Sequence, residues 1–236
     1  FESHGMDDEY VRIRVPEAEF AEAMEHLIQL GYKGANVTVP LKIEAFDWAD
    51  SVTGADKRIG AINTLRFSER AGINTDGLGF VDVCAKFGVE AGEKVLLLGA
   101  GGTTRALAVA LEESGFELVF WNRTPEKLSK MIEEVGVKGE QRSVADPTGC
   151  KLVVNTTSAS MQGLDVPVMW ENASGMVFAC DAYYSDKPTP FLLSAEKEAG
   201  AMTVDGRHLL VGQGARSFEW WTGRSAPRPD MMKAVP

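Results

Sequence analysis

The stretch Val95-Leu96-Leu97-Leu98-Gly99-Ala100-Gly101-Gly102-Thr103-Thr104-Arg105-Ala106 is the part of the sequence that decides the fold. Its apolar residues predict a short buried strand, its glycines permit a tight turn, and a helix follows. The N-terminus of such a helix offers free N–H groups and the positive end of a dipole to a pyrophosphate. Thr104 stands where the usual dinucleotide fingerprint has Gly or Ala, so a plain strand-to-helix turn is the alternative. We predict a dinucleotide-binding loop at Gly99, Ala100, Gly101, Gly102 and Thr103.

The sequence around this loop alternates short apolar strands with helices. We predict strands at residues 94–98, 117–121, 152–154 and 176–182, and helices at 103–113, 125–135 and 210–221. Apolar strands that alternate with helices are typical of a parallel sheet covered on both faces. The middle of the chain is therefore predicted to be a Rossmann-like domain.

The residues that follow the second strand indicate which dinucleotide is preferred. A site for NAD places an acidic residue here, about 20 residues after the glycine loop, to bind the ribose hydroxyls. This sequence has Asn122-Arg123-Thr124 instead. An uncharged Asn beside a guanidinium suits a 2′-phosphate, so the prediction is NADP, although a solvated surface Arg is the alternative.

The first part of the chain has a different pattern. Alternating residues predict a strand at 9–15, and Pro16 predicts the start of a helix that ends before Gly31. A strand at 34–39 and a helix at 41–49 follow, and then a hairpin of residues 64–67 and 72–74. This segment is predicted to be a mixed α/β unit.

Polar residues gather at three turns of this first unit. The three segments are Asn36-Val37-Thr38-Val39-Pro40-Leu41-Lys42, Gly60-Ala61-Ile62-Asn63-Thr64 and Gly72-Ile73-Asn74-Thr75-Asp76-Gly77-Leu78-Gly79-Phe80. Taken singly, each has an ordinary explanation, because Asn, Thr and Asp cap turns and helices and a Lys is usually solvated. Loops at strand ends are also where sites are assembled.

Taken together and in this order, the three segments resemble the shikimate dehydrogenase family. The downstream segments agree with that resemblance: the glycine loop, Asn122-Arg123-Thr124, Asn155-Thr156-Thr157-Ser158, Asp181-Ala182-Tyr183-Tyr184 with Thr189-Pro190, and Val211-Gly212-Gln213-Gly214-Ala215 with Phe218-Glu219. The similarity runs from about Glu9 to Glu219.

The family usually has a Ser-x-Ser pair near its N-terminus that holds the substrate carboxylate, and no such pair precedes Asn36. The chain begins at Phe1, and we expect a strand, a helix and those serines to precede it in the native protein.

The resemblance implies a reversible reduction of 3-dehydroshikimate to shikimate by NADPH, in the chorismate pathway of aromatic amino-acid biosynthesis. By similarity, Lys42 is the proton donor and Asp76 orients it. Thr38, Asn63, Tyr184 and Gln213 correspond to positions that contact the substrate or lie beside the reacting carbon. The cofactor residues are Gly99 to Thr103, Asn122, Arg123, Thr124 and Thr156. The expected architecture is α/β with two domains: a substrate domain of residues 1–76 and 209–236, and an NADP-binding domain of residues 77–208.

Composition and charge argue against several other classes of function. The 236 residues carry a formal net charge of −10, which argues against a general partner for nucleic acid or anionic membranes. No apolar run approaches the length of a membrane span, and 3 scattered cysteines suit a reducing cytoplasm and form no metal pattern. We expect a cytoplasmic enzyme, monomer or homodimer, with no metal. The alternatives are a quinate/shikimate dehydrogenase with broader cofactor use and a non-catalytic dinucleotide-binding regulator.

Overall fold

Helices and strands alternate along the chain in the computed structural model, which describes residues 1–52 and 54–235. The strands are β1 Gly34–Asn36, β2 Thr64–Arg66, β3 Ala71–Ile73, β4 Lys94–Leu98, β5 Glu117–Trp121, β6 Glu140–Gln141, β7 Cys150–Asn155, β8 Phe178–Asp181 and β9 Met202–Val204. The α-helices are α1 Phe20–Gln29, α2 Lys42–Trp48, α3 Gly54–Ile59, α4 Thr75–Lys86, α5 Gly102–Glu113, α6 Pro125–Val135, α7 Pro190–Ala199, α8 Gly206–Thr222 and α9 Arg228–Ala234. Among the described residues, the strands form a six-stranded sheet and a separate three-stranded sheet.

The large sheet is parallel throughout, with the order β6-β5-β4-β7-β8-β9. Alternate residues of its strands enter two different cores. Val95 and Leu97 of β4 join one cluster of buried residues, whereas Leu96 and Leu98 join another. Side chains of a strand alternate between the two faces of the sheet, so both faces are buried, as the apolar strands predicted. The α/β class with a Rossmann-like sheet is confirmed.

The small sheet is antiparallel, with β2 between β1 and β3. The hairpin of β2 and β3 confirms the prediction for residues 64–67 and 72–74. The predicted strand at 9–15 is wrong, because that segment pairs with no strand of the described chain. Val11 is 48% exposed and Ile13 is 46% exposed, whereas Val15 is partly buried against the core of the first unit. Alternation supplies a strand pattern, but a strand also needs a partner for its backbone hydrogen bonds.

Other predicted elements match the structure closely, and some elements of the structure were not predicted. β4, β5 and α6 have the predicted bounds, and α5 begins one residue early, at Gly102. The strand predicted at 34–39 ends at Asn36. Sequence reasoning assigned no element to α3, α4, α7, α9, β6 or β9. No helix in the described residues has the length and apolar character of a membrane span.

Helices α4 and α8 cross at a pair of glycines. A Cβ at Gly79 would overlap the backbone nitrogen of Gln213, and a Cβ at Gly212 would overlap the carbonyl oxygen of Gly79. The two backbones therefore touch directly, which side chains at these positions would prevent. Helix α4 begins directly after β3 of the small sheet and leads toward β4 of the large one. The crossing brings the first turn of α4 to the middle of α8, where the site lies.

Candidate active site

Lys42 and Asp76 form an ion pair between two helix N-termini. Lys42 is the first residue of α2, and Asp76 lies in the first turn of α4. The Lys42 Nζ donates a hydrogen bond to Asp76 Oδ2 at 2.6 Å. The side chains are 22% and 11% exposed. A charge-assisted bond of this length in a partly desolvated place holds the ammonium at one position.

Asn63 fixes the other oxygen of Asp76. Its Nδ2 donates to Asp76 Oδ1 at 2.8 Å and to Gln213 Oε1 at 3.3 Å. Its Oδ1 accepts the backbone N–H of Thr75 at 2.9 Å, which sets the orientation of the amide. Asn63 is 2% exposed. Four of the predicted substrate-side residues, from separate segments of the chain, are thus in one hydrogen-bonded group.

The turn that carries Asp76 is held by Asn74 and Asp56. Asn74 caps α4: its side chain accepts the N–H of Asp76 at 3.0 Å and donates to the carbonyl of Ala61 at 2.8 Å. Asp56 Oδ1 accepts the backbone N–H of Asn74 at 2.9 Å. Burial raises the pKa of Asp56 to about 6, although the hydrogen bond from Asn74 acts in the opposite direction. Sequence reasoning missed Asp56, because nothing local shows that it is half-buried.

Thr38 and Tyr184 lie apart from this group. Thr38 is exposed on the loop between β1 and α2, where its carbonyl accepts the N–H of Leu41 at 2.9 Å. Tyr184 is half-buried after β8, and the guanidinium carbon of Arg207 lies 5.5 Å from the centre of its ring. In the described part of the chain, neither side chain is hydrogen-bonded to Lys42 or Asp76.

The glycine loop lies between β4 and α5. Gly99 has a φ of +126°, and a Cβ there would come 2.6 Å from Thr156 Oγ1, so only glycine fits. Gly101 and Gly102 are exposed, with open space around the position of a Cβ. Thr104, which departs from the usual fingerprint, has a role: its Oγ1 accepts the N–H of Gly101 at 3.2 Å and lies 2.7 Å from Thr156 Oγ1.

The predicted phosphate-reading residues follow the neighbouring strand. Asn122, Arg123 and Thr124 lie between β5 and α6, and β5 pairs with β4 in register. Asn122 Nδ2 donates to the carbonyl of Thr124 at 2.8 Å, which closes the turn, and Arg123 is exposed. The guanidinium is therefore presented at the same edge of the sheet as the glycine loop.

The strand order places this edge at a topological switch point. The sheet runs from β4 to β5 and β6 on one side and from β4 to β7, β8 and β9 on the other. Ligands of open α/β sheets bind at the carboxyl ends of the strands where the order reverses. The exposed glycines, the crowded Gly99 and the free N–H groups of α5 fit a dinucleotide phosphate. Such a sheet with a lysine–carboxylate pair in a second unit defines a dinucleotide-dependent oxidoreductase.

Comparisons with known proteins give the particular family. A family model for the shikimate dehydrogenase substrate binding domain matches residues 1–65, and one for the shikimate 5'-dehydrogenase C-terminal domain matches residues 206–235. A shikimate dehydrogenase (NADP(+)) from Acidiphilium cryptum is 38% identical over 231 residues, 94% of this chain and 82% of that protein. One from Natronomonas pharaonis is 34% identical, covering all of this chain and 90% of that protein. This chain belongs to the shikimate dehydrogenase family.

Solved structures support the same assignment. Shikimate 5-dehydrogenase from Thermus thermophilus, in complex with NADP(H) and shikimate, superposes with a TM-score of 0.88 at 32% identity. That match covers 99% of this chain and 89% of the other. A 5-ketofructose reductase of Gluconobacter sp. strain CHM43 also has a TM-score of 0.88, at 28% identity, and covers 98% of this chain and 88% of the other. The fold of this chain is therefore shared by a shikimate 5-dehydrogenase and by a protein named 5-ketofructose reductase.

Proposed function

We propose that this protein catalyses the reversible NADPH-dependent reduction of 3-dehydroshikimate to shikimate, a step of aromatic amino-acid biosynthesis. The observation that carries the proposal is the Lys42–Asp76 pair with Asn63, set beside a Rossmann-like sheet in a chain of this family. NADP(+)-dependent shikimate dehydrogenases among its relatives, and a neighbour that holds NADP(H) and shikimate, support it.

Lys42 acts in the proton step. NADPH, when bound, supplies the hydride for the carbonyl carbon, and negative charge then develops on the ketone oxygen. Lys42 donates a proton to that oxygen during reduction and removes it during oxidation. Asp76 holds the ammonium in place through the 2.6 Å bond. Because Asn63 occupies the second carboxylate oxygen, Asp76 stays aimed at Lys42.

The remaining substrate contacts are assigned by the family positions. Asn63 and Gln213 adjoin the dyad and offer neutral donors and acceptors that suit ring hydroxyls. Thr38 and Tyr184 are proposed to complete the substrate site from the loops that follow β1 and β8. A site that pairs hydroxyls rejects analogues that lack them, because its buried polar groups would be left without partners.

The cofactor contacts are proposed for the loop residues at the switch point. The backbone of Gly99, Ala100, Gly101, Gly102 and Thr103 would hold the pyrophosphate, with Thr156 beside the loop. Asn122, Arg123 and Thr124 would hold the adenosine end, with the Arg123 guanidinium on the 2′-phosphate. We propose a division into a substrate domain of residues 1–76 and 209–236 and a cofactor domain of residues 77–208, and the separate three-stranded and six-stranded sheets support it. The cytoplasmic location and the monomeric or dimeric state stay predictions.

A steady-state assay tests the function. NADPH oxidation is followed with 3-dehydroshikimate, and the reverse reaction is followed with shikimate or quinate and with NADP or NAD. We expect turnover with 3-dehydroshikimate and a preference for NADP. Because one structural neighbour is a 5-ketofructose reductase, 5-ketofructose is included as a competing substrate. NADPH binding with no turnover of any substrate would point instead to a non-catalytic regulator.

A further inference from the structure

Ser217 lies at the centre of a buried polar cluster under the active site. It is in the middle of α8 and fully buried, as is Thr64 of β2. Its Oγ lies 2.8 Å from Thr64 Oγ1 and 3.1 Å from Thr75 Oγ1, and it accepts a hydrogen bond from Asn36 Nδ2 at 2.9 Å. Four segments that are distant in sequence therefore meet at one serine hydroxyl.

The cluster connects directly to Asp76. Thr64 Oγ1 donates to Asn63 Oδ1 at 3.0 Å, and Asn63 Nδ2 donates to Asp76 Oδ1 at 2.8 Å. A threonine hydroxyl has a single proton, so while Thr64 donates to Asn63, the contact with Ser217 requires Ser217 to donate. The hydrogen bonds then run in one direction, from Asn36 through Ser217, Thr64 and Asn63 to the carboxylate of Asp76. Bonds aligned in this way polarise and strengthen one another.

We propose that Ser217 is a positioning residue for the reaction, which acts through Thr64 and Asn63 on Asp76. This inference rests on the proposed function of the Lys42–Asp76 pair. Ser217 does not reach Asp76 itself. Its hydroxyl donates a hydrogen bond to Thr64 Oγ1, and this bond keeps the Thr64 hydroxyl directed at Asn63 Oδ1. Asn36 Nδ2 also donates to Thr64 Oγ1, at 3.0 Å. When the serine hydroxyl is absent, Thr64 therefore keeps one of these two donors and loses the other, and the Asn63 amide is held less firmly against Asp76.

A purely structural explanation also exists, and the chain contains a control for it. Ser217 Oγ also lies 3.0 Å from the carbonyl of Gln213, four residues earlier, and its single proton can bond that carbonyl only in place of Thr64. Thr222 makes the same kind of bond to Phe218 on the same helix, at 2.8 Å, but it lies outside the cluster. If the bond to the helix backbone were the whole role of Ser217, the two residues would respond alike to removal of the hydroxyl.

The experiment measures kcat and KM with 3-dehydroshikimate and NADPH for the wild type and for Ser217→Ala, Thr222→Ser and Thr222→Ala. Alanine favours helices more than serine does, so the folded state of Ser217→Ala is expected to persist, and its Tm is recorded. We expect Ser217→Ala to lower kcat about 5- to 20-fold with KM for NADPH unchanged. The Thr222 variants should keep the kcat of the wild type.

A double-mutant cycle with Thr64→Val provides the second readout. If both hydroxyls act through Asn63, the double variant should lose no more kcat than the worse single variant. A kcat for Ser217→Ala equal to that of the Thr222 variants, or fully additive losses in the cycle, would overturn the inference. A wild type without turnover would instead refute the proposed function, so the two failures are distinguishable.

Discussion

The substrate side and the cofactor side of this molecule are built by opposite means. Around Asp76, buried side chains from remote segments hold one another, and Asn63, Thr64 and Ser217 are nearly or fully enclosed. At the glycine loop, backbone N–H groups are the proposed partners of the phosphates, and the charged Arg123 is exposed to solvent. A proton donor needs a position fixed within a fraction of an ångström, whereas a phosphate needs accessible N–H groups and one cation. The predictions below test this contrast.

Removal of Lys42 should have the largest effect. Lys42→Ala is expected to lower kcat by about a hundredfold to ten-thousandfold, because it removes the proposed general acid. The affinity for NADPH, measured by fluorescence titration, should be nearly unchanged. The control is Lys33→Ala. This variant removes the ion pair between Lys33 and Asp8, in which the lysine side chain is 83% exposed. A Lys42→Ala variant with turnover close to wild type would refute the role of the dyad.

Removal of the Arg123 side chain should weaken the binding of NADPH and leave kcat unchanged. Arg123→Met is expected to raise KM for NADPH about 10- to 100-fold, because the 2′-phosphate loses a charge-assisted partner. KM for NADH should stay the same, since NADH lacks that phosphate, and kcat at saturating NADPH should be kept. An equal rise for both cofactors would show that Arg123 has another role.

The glycine loop should tolerate a methyl group poorly. Gly99→Ala is expected to weaken NADPH binding about tenfold and to lower the free energy of unfolding by about 1–3 kcal/mol, because a Cβ meets Thr156 in a strained conformation. Gly136→Ala is the matched control: its φ is +69° with open space around it. It should lose stability and keep its affinity for NADPH. If Gly99→Ala keeps full affinity, the loop does not hold the pyrophosphate closely.

Ionisation of Asp56 should lower the free energy of unfolding as the pH rises. Its pKa is about 6 in the folded protein, above the usual 3.8, so ionisation opposes folding. Stability is therefore lost as the pH rises from about 4 through about 6. Asp56→Asn keeps an acceptor for the Asn74 N–H and should raise the free energy of unfolding at pH 7 by up to about 3 kcal/mol.

Urea unfolding at pH 4 and pH 7.5 measures this difference. The gain should disappear at pH 4, where the ionisation of the wild-type carboxyl has not yet weakened the folded state. Asp7→Asn, at an exposed position, is the control for removal of one carboxylate. A gain of equal size at both pH values would mean that the ionisation of Asp56 does not oppose folding.

Prediction from sequence succeeded where a single segment carries the information. The bounds of β4, β5 and α6 follow from apolar runs with clear turn residues on either side. It failed at residues 9–15, since alternation alone does not supply a neighbouring strand. The bond from the Gly101 N–H to Thr104 was not anticipated. The grouping of Lys42, Asn63, Asp76 and Gln213 was predicted from the family resemblance, whereas Asp56 and Ser217 were not singled out.

The sequence by itself determined the glycine loop, the parallel strands around it and the identity of the polar residues at the turns. Those features depend on neighbours along the chain, because periodicity and turn chemistry are local. Only the tertiary structure decided which polar groups are buried and which partners they have. Thr64 and Ser217 are 153 residues apart in the sequence, yet their hydroxyls are in direct contact. Burial and hydrogen-bond satisfaction arise from such remote contacts, and they decide which of the predicted residues can work together.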